Sequence, residues 1–354
     1  MSDIACLLSG GVDSSVALWS LKEQGHETIR AYYLKIWLED ELSYLGNCPW
    51  EEDLEYARAV CEQAGVPLEV VPLQREYYER VVSYTVEELK RGRTPSPDIF
   101  CNERIKFGAF FDAVEGSLGK VASGHYAVLE KDGLGQVWLR RSPDPVKDQS
   151  YFLFHLRQEQ LRRLLFPIGT MQKQEVRRKA EELDLPNKNR PDSQGICFLG
   201  RIKYPEFVRH YLGEKEGAIL ERETGERLGT HRGSWFYTIG QRQGLGLGNG
   251  PWYVVAKDFD ENLVYVSHSQ EVDRRAPRDL TIGELTWLTE EPEKDEFLVK
   301  LRHGPGLNRA TARRVDGGDK MELTLEQADR GIAPGQFAVL YDGEYCLGGG
   351  TILG

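Results

Sequence analysis

The first part of the chain alternates short apolar runs with amphipathic segments. Apolar runs with the length of strands lie at residues 4–8, 29–37, 66–73 and 121–126. Helices are predicted between them, at residues 12–24, 53–64, 75–90 and 102–115. This alternation predicts an α/β fold with a mainly parallel sheet and helices on both faces. Ligands bind such sheets at the carboxyl ends of the strands, where Ser9 and Gly124 are expected.

The pattern changes along the rest of the chain. A hairpin is predicted at residues 128–139, followed by helical segments at residues 150–165, 172–184 and 204–211. Glycines and aromatic residues become frequent after Gly200. From Ala276 onward, alternating runs separated by turn residues predict a small β-barrel. These runs lie at residues 279–286, 297–301, 310–315, 321–325, 337–341 and 345–348. We therefore predict three domains, at residues 1–200, 201–270 and 271–354.

The loop after the first apolar run reads Ser-Gly-Gly-Val-Asp-Ser-Ser, at residues 9–15. Its glycines let a ligand approach the backbone closely, and its serines and the first helix amides place donors in one small volume. Such donors bind anions, phosphate above all. The lysine and spacing of a Walker A loop are absent. The loop resembles the pyrophosphate loop of the ATP pyrophosphatases, although helix capping by Asp13 and Ser14 is the alternative interpretation.

Composition places the chain among globular proteins, with 40% hydrophobic and 29% charged residues. It has no apolar stretch of membrane-spanning length and no signal-peptide pattern at its N-terminus, so we expect a cytoplasmic protein without membrane contact. The net charge of −11 does not favour nucleic-acid binding. However, residues 297–314 contain five Lys and Arg and no acidic residue, and residues 157–190 contain nine basic and five acidic residues. These segments predict either a basic track for a phosphate backbone or ordinary solvated faces.

Six cysteines occur without a Cys-x-x-Cys pair, which argues against a zinc ribbon or an iron–sulfur site. Cys101 follows two prolines at a predicted helix start, where the helix dipole would lower the thiol pKa, and Asp98 is close enough in sequence to relay a proton. Cys197 lies in a polar loop between glycines. Each alone would most often be an inert thiol. Together they predict a working pair, whereas Cys6 and Cys61 are expected in the core.

Several stretches together resemble the bacterial tRNA-specific 2-thiouridylases, the MnmA family, from end to end. They lie at residues 9–15, 48–53, 93–107, 123–127, 147–151, 193–199 and 237–242. The resemblance implies ATP-dependent replacement of the C2 oxygen of the wobble uridine of tRNA by sulfur. It also implies an ATP-pyrophosphatase domain, a small central domain and a tRNA-binding barrel, in agreement with the three regions above. Uridine oxygen is a poor leaving group, so its adenylation, with release of pyrophosphate, would prepare it for displacement as AMP.

By the same resemblance, the ATP site comprises Leu8, Ser9, Gly10, Gly11, Val12, Asp13, Ser14, Ser15, Leu34 and Gly124. Asp98 would handle protons, Cys101 would be the nucleophile, and Cys197 would carry sulfur as a persulfide. Contacts with tRNA are implied for Ser96, Pro97, Asp98, Lys147, Asp148, Gln149, Arg302 and His303. ATP is expected with Mg²⁺, although the sequence contains no evident carboxylate ligand set.

The persulfide would either attack C2 directly or be cleaved by Cys101 to release a sulfur nucleophile. Both routes leave a disulfide between Cys101 and Cys197, which must be reduced before the next turnover. The family further implies tRNAs of the Lys, Glu and Gln type as substrates. It also implies a cysteine desulfurase, acting directly or through a relay protein, as the sulfur source.

Three positions depart from the family pattern. Ser96 replaces the usual Asn with a shorter hydrogen-bonding group, and Leu34 replaces Met with little change in volume. His303 replaces Tyr and keeps a ring that can stack on RNA. Two other functions remain open at this point: a pyrophosphate-loop ligase, which would not need the two cysteines, and a non-catalytic nucleotide-sensing or RNA-binding protein. His125 could be structural or functional.

Overall fold

The structure, a computed structural model, describes residues 3–36, 50–114, 119–192 and 203–353. Its strands are β1 (Ile4–Leu7), β2 (Ile29–Lys35), β3 (Leu68–Pro72), β4 (Lys120–Ala122), β5 (Ala127–Lys131), β6 (Val137–Arg141), β7 (Leu164–Leu165), β8 (Gly217–Glu221), β9 (Arg227–His231), β10 (Trp252–Asp258), β11 (Leu263–His268), β12 (Asp279–Trp287), β13 (Glu296–Lys300), β14 (Asn308–Val315), β15 (Lys320–Leu325), β16 (Phe337–Asp342) and β17 (Tyr345–Ile352).

The α-helices within these residues are α1 (Val12–Glu23), α2 (Trp50–Ala64), α3 (Gln74–Tyr77), α4 (Ser83–Lys90), α5 (Pro97–Phe100), α6 (Phe110–Ala113), α7 (Gln158–Leu161), α8 (Lys173–Glu182), α9 (Tyr204–Leu212) and α10 (Ser269–Arg275). Two π-helical segments, Tyr78–Val82 and Cys101–Ala109, each lie between two of these helices. Short 3₁₀ turns occupy Ser150–Leu153, Ser234–Phe236 and Asp316–Gly318.

The N-terminal region forms a parallel sheet in the order β3-β2-β1-β4-β7. Every residue of β1 is buried, as expected for a central strand covered on both faces. The predicted α/β fold is therefore confirmed. Because β1 and β4 are neighbours, Ser9 and Gly124 follow adjacent strands at the same edge of the sheet.

Two predictions about local structure were wrong. The helix expected at residues 150–165 is instead a 3₁₀ turn, the single turn α7 and the edge strand β7. Leu164 pairs with Val121 of β4, so sheet pairing outweighs the local helical pattern. The helix expected to begin near residue 102 begins at Pro97, in the first turn, where the missing N–H of proline costs no hydrogen bond.

The six strands β12 to β17 form a closed barrel, because β12 pairs with both β15 and β17. All six runs predicted from alternation correspond to these strands. The hairpin of β5 and β6, which follows β4 in the N-terminal region, joins the barrel through the pairing of β6 with β17. This hairpin and the barrel strands therefore form one sheet, apart from the parallel sheet. Strands β8 to β11 form the separate sheet β10-β11-β8-β9. The domain boundaries proposed from the sequence stay predictions.

Within the described ranges, no helix is both long and apolar enough to cross a membrane.

Candidate active site

The loop between β1 and α1 is held in shape by its own hydroxyl groups. Gly10 has a φ of +74°, and a side chain on it would collide with the backbone of Asp53. The hydroxyls of Ser14 and Ser15 each donate to the carbonyl oxygen of Gly11 at 3.0 Å. Ser15 is fully buried, so its hydroxyl braces the loop instead of lining the site. Ser9 is exposed at the mouth of the loop.

The N-terminus of α1 forms the floor of the site. The amide of Ser15 donates to the carbonyl oxygen of Gly11 at 3.2 Å, whereas the helix amides that precede it lie beyond the reach of intrahelical acceptors. Gly124 packs against this turn: a Cβ atom there would lie 2.8 Å from the backbone nitrogen of Ser14. Only glycine allows this close approach. Leu34, half-buried near the end of β2, lies on the neighbouring strand.

The Asp13 carboxylate connects the loop to a cationic cluster that sequence analysis did not identify. The ammonium of Lys173, on α8, lies 2.7 and 2.9 Å from the two oxygens of Asp13, and the Tyr126 hydroxyl donates to one of them at 2.7 Å. Lys173 also lies 2.7 Å from Asp192, which pairs with Lys147 at 2.6 Å and with a third cation, Arg177. Partial burial favours a higher pKa for Asp192, but these cations outweigh it and hold the pKa well below its usual range.

Two further residues clamp the loop from the chain that follows α8. Asn187 is buried, and its side-chain amide donates to the Gly10 carbonyl oxygen at 2.8 Å and to the Ser15 hydroxyl at 2.9 Å. Arg190 donates to the same carbonyl at 3.1 Å and pairs with Asp53. The contacts with Gly10 and Ser15 join residues 172 to 180 positions apart, so no local sequence pattern could reveal them. In the sequence, only the polar run at residues 187–190 indicated that these residues could serve the loop.

Cys101 is buried, with 1% of its surface exposed. Burial raises the pKa of its thiol and Asp98 adds to the rise, whereas Lys106 and Tyr77 oppose it. The predicted help from a helix dipole was wrong, because the helix begins at Pro97 and the amide of Cys101 already donates to carbonyls of that turn. Cys6 and Cys61 lie in the core, as predicted.

Cys197 lies outside the described residues, so its predicted pairing with Cys101 stays a prediction. Asp98 is half-buried in the first turn of α5, near enough to Cys101 to act on its titration. Ser96 and Pro97 precede it, with Ser96 half-buried and Pro97 buried.

The structure brings together two of the three segments predicted to contact tRNA, residues 147–149 and residues 302–303. Asp148 forms a 2.6 Å ion pair with Lys300 of β13, and the ring of His303 stacks on Phe152 with centroids 4.8 Å apart. His303 and Arg302 are exposed, although Arg302 is paired with Asp329 through two hydrogen bonds.

Asp148 itself does not fit its predicted role in this conformation. Its exposed fraction is 1%, and its carboxylate is committed to Lys300 and to nearby donors that include Ser142 and Ser150. Lys147 and Gln149, on either side, are half-buried, and the side-chain oxygen of Gln149 accepts from the amide of Tyr126 at 2.9 Å. Asp148 therefore joins the loop of residues 147–149 to the barrel.

No group of three or more His, Cys, Asp or Glu side chains is arranged to hold a metal ion anywhere in residues 3–36, 50–114, 119–192 or 203–353.

Three family models match consecutive parts of the chain. They are a tRNA methyl transferase HUP domain at residues 2–201, a tRNA methyl transferase PRC-barrel domain at residues 205–268, and an aminomethyltransferase beta-barrel domain at residues 277–352.

Curated relatives extend the match to whole proteins. The tRNA-specific 2-thiouridylase MnmA 1 of Bacteroides thetaiotaomicron is 46% identical over 357 residues, and the alignment covers 99% of each chain. MnmA of Parabacteroides distasonis is 44% identical over 358 residues, again with 99% of each chain covered. A solved structure of the U34-tRNA thiolase NcsA from Methanococcus maripaludis aligns with 59% of this chain and 70% of that one, at a TM-score of 0.35 and 17% identity, which is too low to support an argument. Identity of this degree over the full length of the curated relatives shows that the chain belongs to the MnmA family of tRNA-specific 2-thiouridylases.

Proposed function

We propose that this chain replaces the C2 oxygen of the wobble uridine of tRNA by sulfur, at the expense of ATP, in the cytoplasm. The observation that carries the proposal is a chain of contacts from the phosphate-binding loop to Cys101. Gly124 packs against the first turn of α1, and the ring of the adjacent His125 lies 3.2 Å from Asn102, the residue after Cys101. An activated oxygen and a sulfur-handling thiol can therefore meet at one edge of the sheet.

The loop is suited to the first half of the reaction. The β- and γ-phosphates of ATP would be held by Gly10, Gly11 and the free amides of α1. The space around the nucleotide would be lined by Leu8, Leu34 and Gly124. Attack of the uridine oxygen on the α-phosphate then releases pyrophosphate, and the same amides stabilise the charge on this leaving group. Mg²⁺, when bound with ATP, would shield the phosphate charges.

Cysteine chemistry completes the reaction. A persulfide on Cys197 either attacks C2 and expels AMP, or is cleaved by Cys101 to release a sulfur nucleophile, while Asp98 takes and returns the proton. In both routes Cys101 ends in a disulfide with Cys197, and a thiol reductant restores the pair.

Binding of tRNA is assigned to the surface where Lys147, Gln149, Arg302 and His303 converge, with the target base near Ser96 and Pro97. His303 already stacks on Phe152, and an unpaired base could extend that stack. We assign the sulfur source to a cysteine desulfurase or a relay protein, and the substrates to tRNAs with a wobble uridine of the Lys, Glu and Gln type.

The nucleotide products test this assignment directly. The protein, charged with sulfur and incubated with unmodified tRNA and ATP, should form AMP and pyrophosphate in amounts that match the sulfur transferred. Omission of tRNA should stop their formation. Formation of ADP and phosphate, or of AMP independent of tRNA but dependent on a small carboxylate, would contradict the proposal and favour the ligase alternative.

Lys173 should contribute directly to ATP binding. Its ammonium lies 2.7 Å from Asp13 of the phosphate-binding loop, where it can turn to the phosphates. We expect Lys173→Met to weaken ATP binding about ten- to hundredfold, the value of a hydrogen bond to a charged group. AMP, which lacks the β- and γ-phosphates, should bind almost as before. Isothermal titration calorimetry with both nucleotides measures the difference.

Lys179→Met is the matched control, because Lys179 lies on the same helix and pairs with Glu23 on the outer end of α1. Its ATP affinity should equal that of the unmodified protein. Equal loss of ATP and AMP binding in Lys173→Met would show that Lys173 supports the fold of the loop and not the phosphates.

A further inference from the structure

Cys101 begins a π-helix, Cys101–Ala109, directly after the single α-helical turn α5. In a π-helix the hydrogen bonds join residues five apart, so the side chains of such residues lie on one face. The residue five positions after Cys101 is Lys106. The wide turn therefore places a lysine side chain on the face of the helix that carries the reactive thiol.

Two other residues maintain this wide turn. A Cβ atom on Gly108 would lie 2.8 Å from the carbonyl oxygen of Glu103, five residues earlier, so a glycine is required for the backbone to pack in this way. The side-chain amide of Gln160 donates to the carbonyl oxygens of Glu103 and Phe107 at 3.1 and 2.6 Å. Acceptors that an α-helix would have satisfied internally are thus supplied with a donor from α7.

The Lys106 ammonium is fixed by a buried network. It donates to the side-chain oxygen of Asn102 at 3.0 Å, and the same oxygen lies 3.2 Å from Nε2 of His125. Nδ1 of His125 lies 2.8 Å from the Ser123 hydroxyl, and the Asn102 amide donates to the carbonyl oxygen of Phe152 at 3.2 Å. Asn102 is 3% exposed and is held at both ends, so its oxygen has one orientation.

The ring of His125 is neutral in this network. Burial, with a contribution from Lys106, lowers the pKa of His125 well below its ordinary value. A neutral ring whose Nε2–H donates to Asn102 has Nδ1 free to accept from Ser123, which satisfies both observed contacts. His125 therefore orients Asn102, and Asn102 in turn orients Lys106.

Among the described residues, few charged and titratable groups influence the pKa of the Cys101 thiol. Burial raises the thiol pKa most, Lys106 is the largest opposing influence, Asp98 raises the pKa further, and Tyr77 lowers it through a hydrogen bond. Among the described residues, Lys106 is thus the cation that opposes the rise in the Cys101 pKa caused by burial and by the negative charge of Asp98.

We propose that Lys106 is a positioning residue whose ammonium, held by Asn102 and His125, faces the Cys101 sulfur and stabilises its thiolate form. The inference deepens the proposed function and rests on it for the role of the thiolate. In the sulfide-release route, the Cys101 thiolate forms a bond to the Cys197 sulfur while the S–S bond of the persulfide breaks. Its electron pair leaves with the transferred sulfur. In the direct route the same attack separates Cys197 from the sulfur already joined to C2.

The titration of Cys101 can be measured without catalysis. Thiolate absorbance in the ultraviolet is recorded against pH, and the signal of a Cys101→Ser variant is subtracted to isolate this one thiol. Lys106→Met should reduce the thiolate fraction of Cys101 about tenfold at any pH below the midpoint, because an opposite charge nearby is removed. Lys106→Arg should restore the thiolate fraction close to that of the unmodified protein. Lys106→Gln serves as a second uncharged variant.

Lys90→Met is the control, since Lys90 is exposed at the end of α4 and should not affect Cys101. Circular dichroism and thermal unfolding confirm that each variant is folded before titration. A titration unchanged in both uncharged variants, or an arginine variant that behaves like the methionine one, would overturn the proposal. The titration needs neither tRNA nor ATP. If Lys106→Met shifts the titration but the unmodified protein does not thiolate tRNA, the proposed function is refuted, whereas the effect of Lys106 on the Cys101 thiol still holds.

Discussion

Replacement of Cys101 by serine should reduce sulfur incorporation into tRNA by a factor on the order of 10³ or more. A serine hydroxyl has nearly the same shape in this buried position, but its oxygen cannot attack a persulfide and form a disulfide. Binding of ATP and of tRNA should change little, because the Cys101 side chain is buried. Time courses of thiolated nucleoside, measured by mass spectrometry, give the rate.

Cys61→Ala provides the matched control, as Cys61 is a buried cysteine of the same domain that packs in the core beside α1 and β1. It should retain thiolation at nearly the original rate after correction for any loss of folded protein. A Cys101→Ser rate within about tenfold of the original would remove Cys101 from the chemistry.

Replacement of Lys300 by methionine should lower the free energy of unfolding by about 3 to 5 kcal/mol. The Lys300 ammonium lies 2.6 Å from Asp148, and neither side chain is exposed to solvent. Loss of the cation would leave the Asp148 carboxylate buried without its partner, at the joint between the loop of residues 147–149 and the barrel. Urea unfolding, followed by fluorescence and by circular dichroism together, measures the change.

Lys294→Met removes a pair of similar length from the surface of the barrel. Lys294 lies 2.7 Å from Asp342, with 33% and 63% of the two side chains exposed, so its loss should cost at most about 1 kcal/mol. A double variant, Lys300→Met with Asp148→Asn, should recover part of the stability lost by Lys300→Met alone, because no unpaired charge remains. An equal loss of unfolding free energy in the two lysine variants would show that burial does not increase the contribution of the Asp148–Lys300 pair to stability.

The elements that follow simple periodicity were predictable from the sequence. Half-buried antiparallel strands alternate apolar and polar residues, which is why the runs at residues 279–286 and 310–315 correspond to β12 and β14. The strand, loop and helix around residues 9–15 were predictable because the glycines and serines of the loop are contiguous in sequence. The confirmed adjacency of Ser9 and Gly124 followed from the rule that parallel strands end at one edge.

Features that depend on contacts between distant residues could not be predicted. Lys173 reaches Asp13 only because α8 packs beside α1, and nothing in its local sequence distinguishes it from the other lysines of the chain. The burial of Cys101 depends on where its helix begins, and the sequence predicted that start near residue 102, whereas Pro97 begins the helix. Asp148 lies between Lys147 and Gln149, which are predicted to contact tRNA, yet the barrel strand that supplies Lys300 determines its burial.

Sulfur transfer to the wobble uridine is tested most directly by the mass of that nucleoside. Unmodified tRNA is incubated with the protein, ATP and a sulfur donor, and its anticodon nucleosides are then analysed by high-resolution mass spectrometry. We predict exchange of one oxygen for sulfur on the wobble uridine, with a requirement for ATP, Cys101 and Cys197. An unchanged mass, or the addition of a methyl group in place of sulfur, would contradict it.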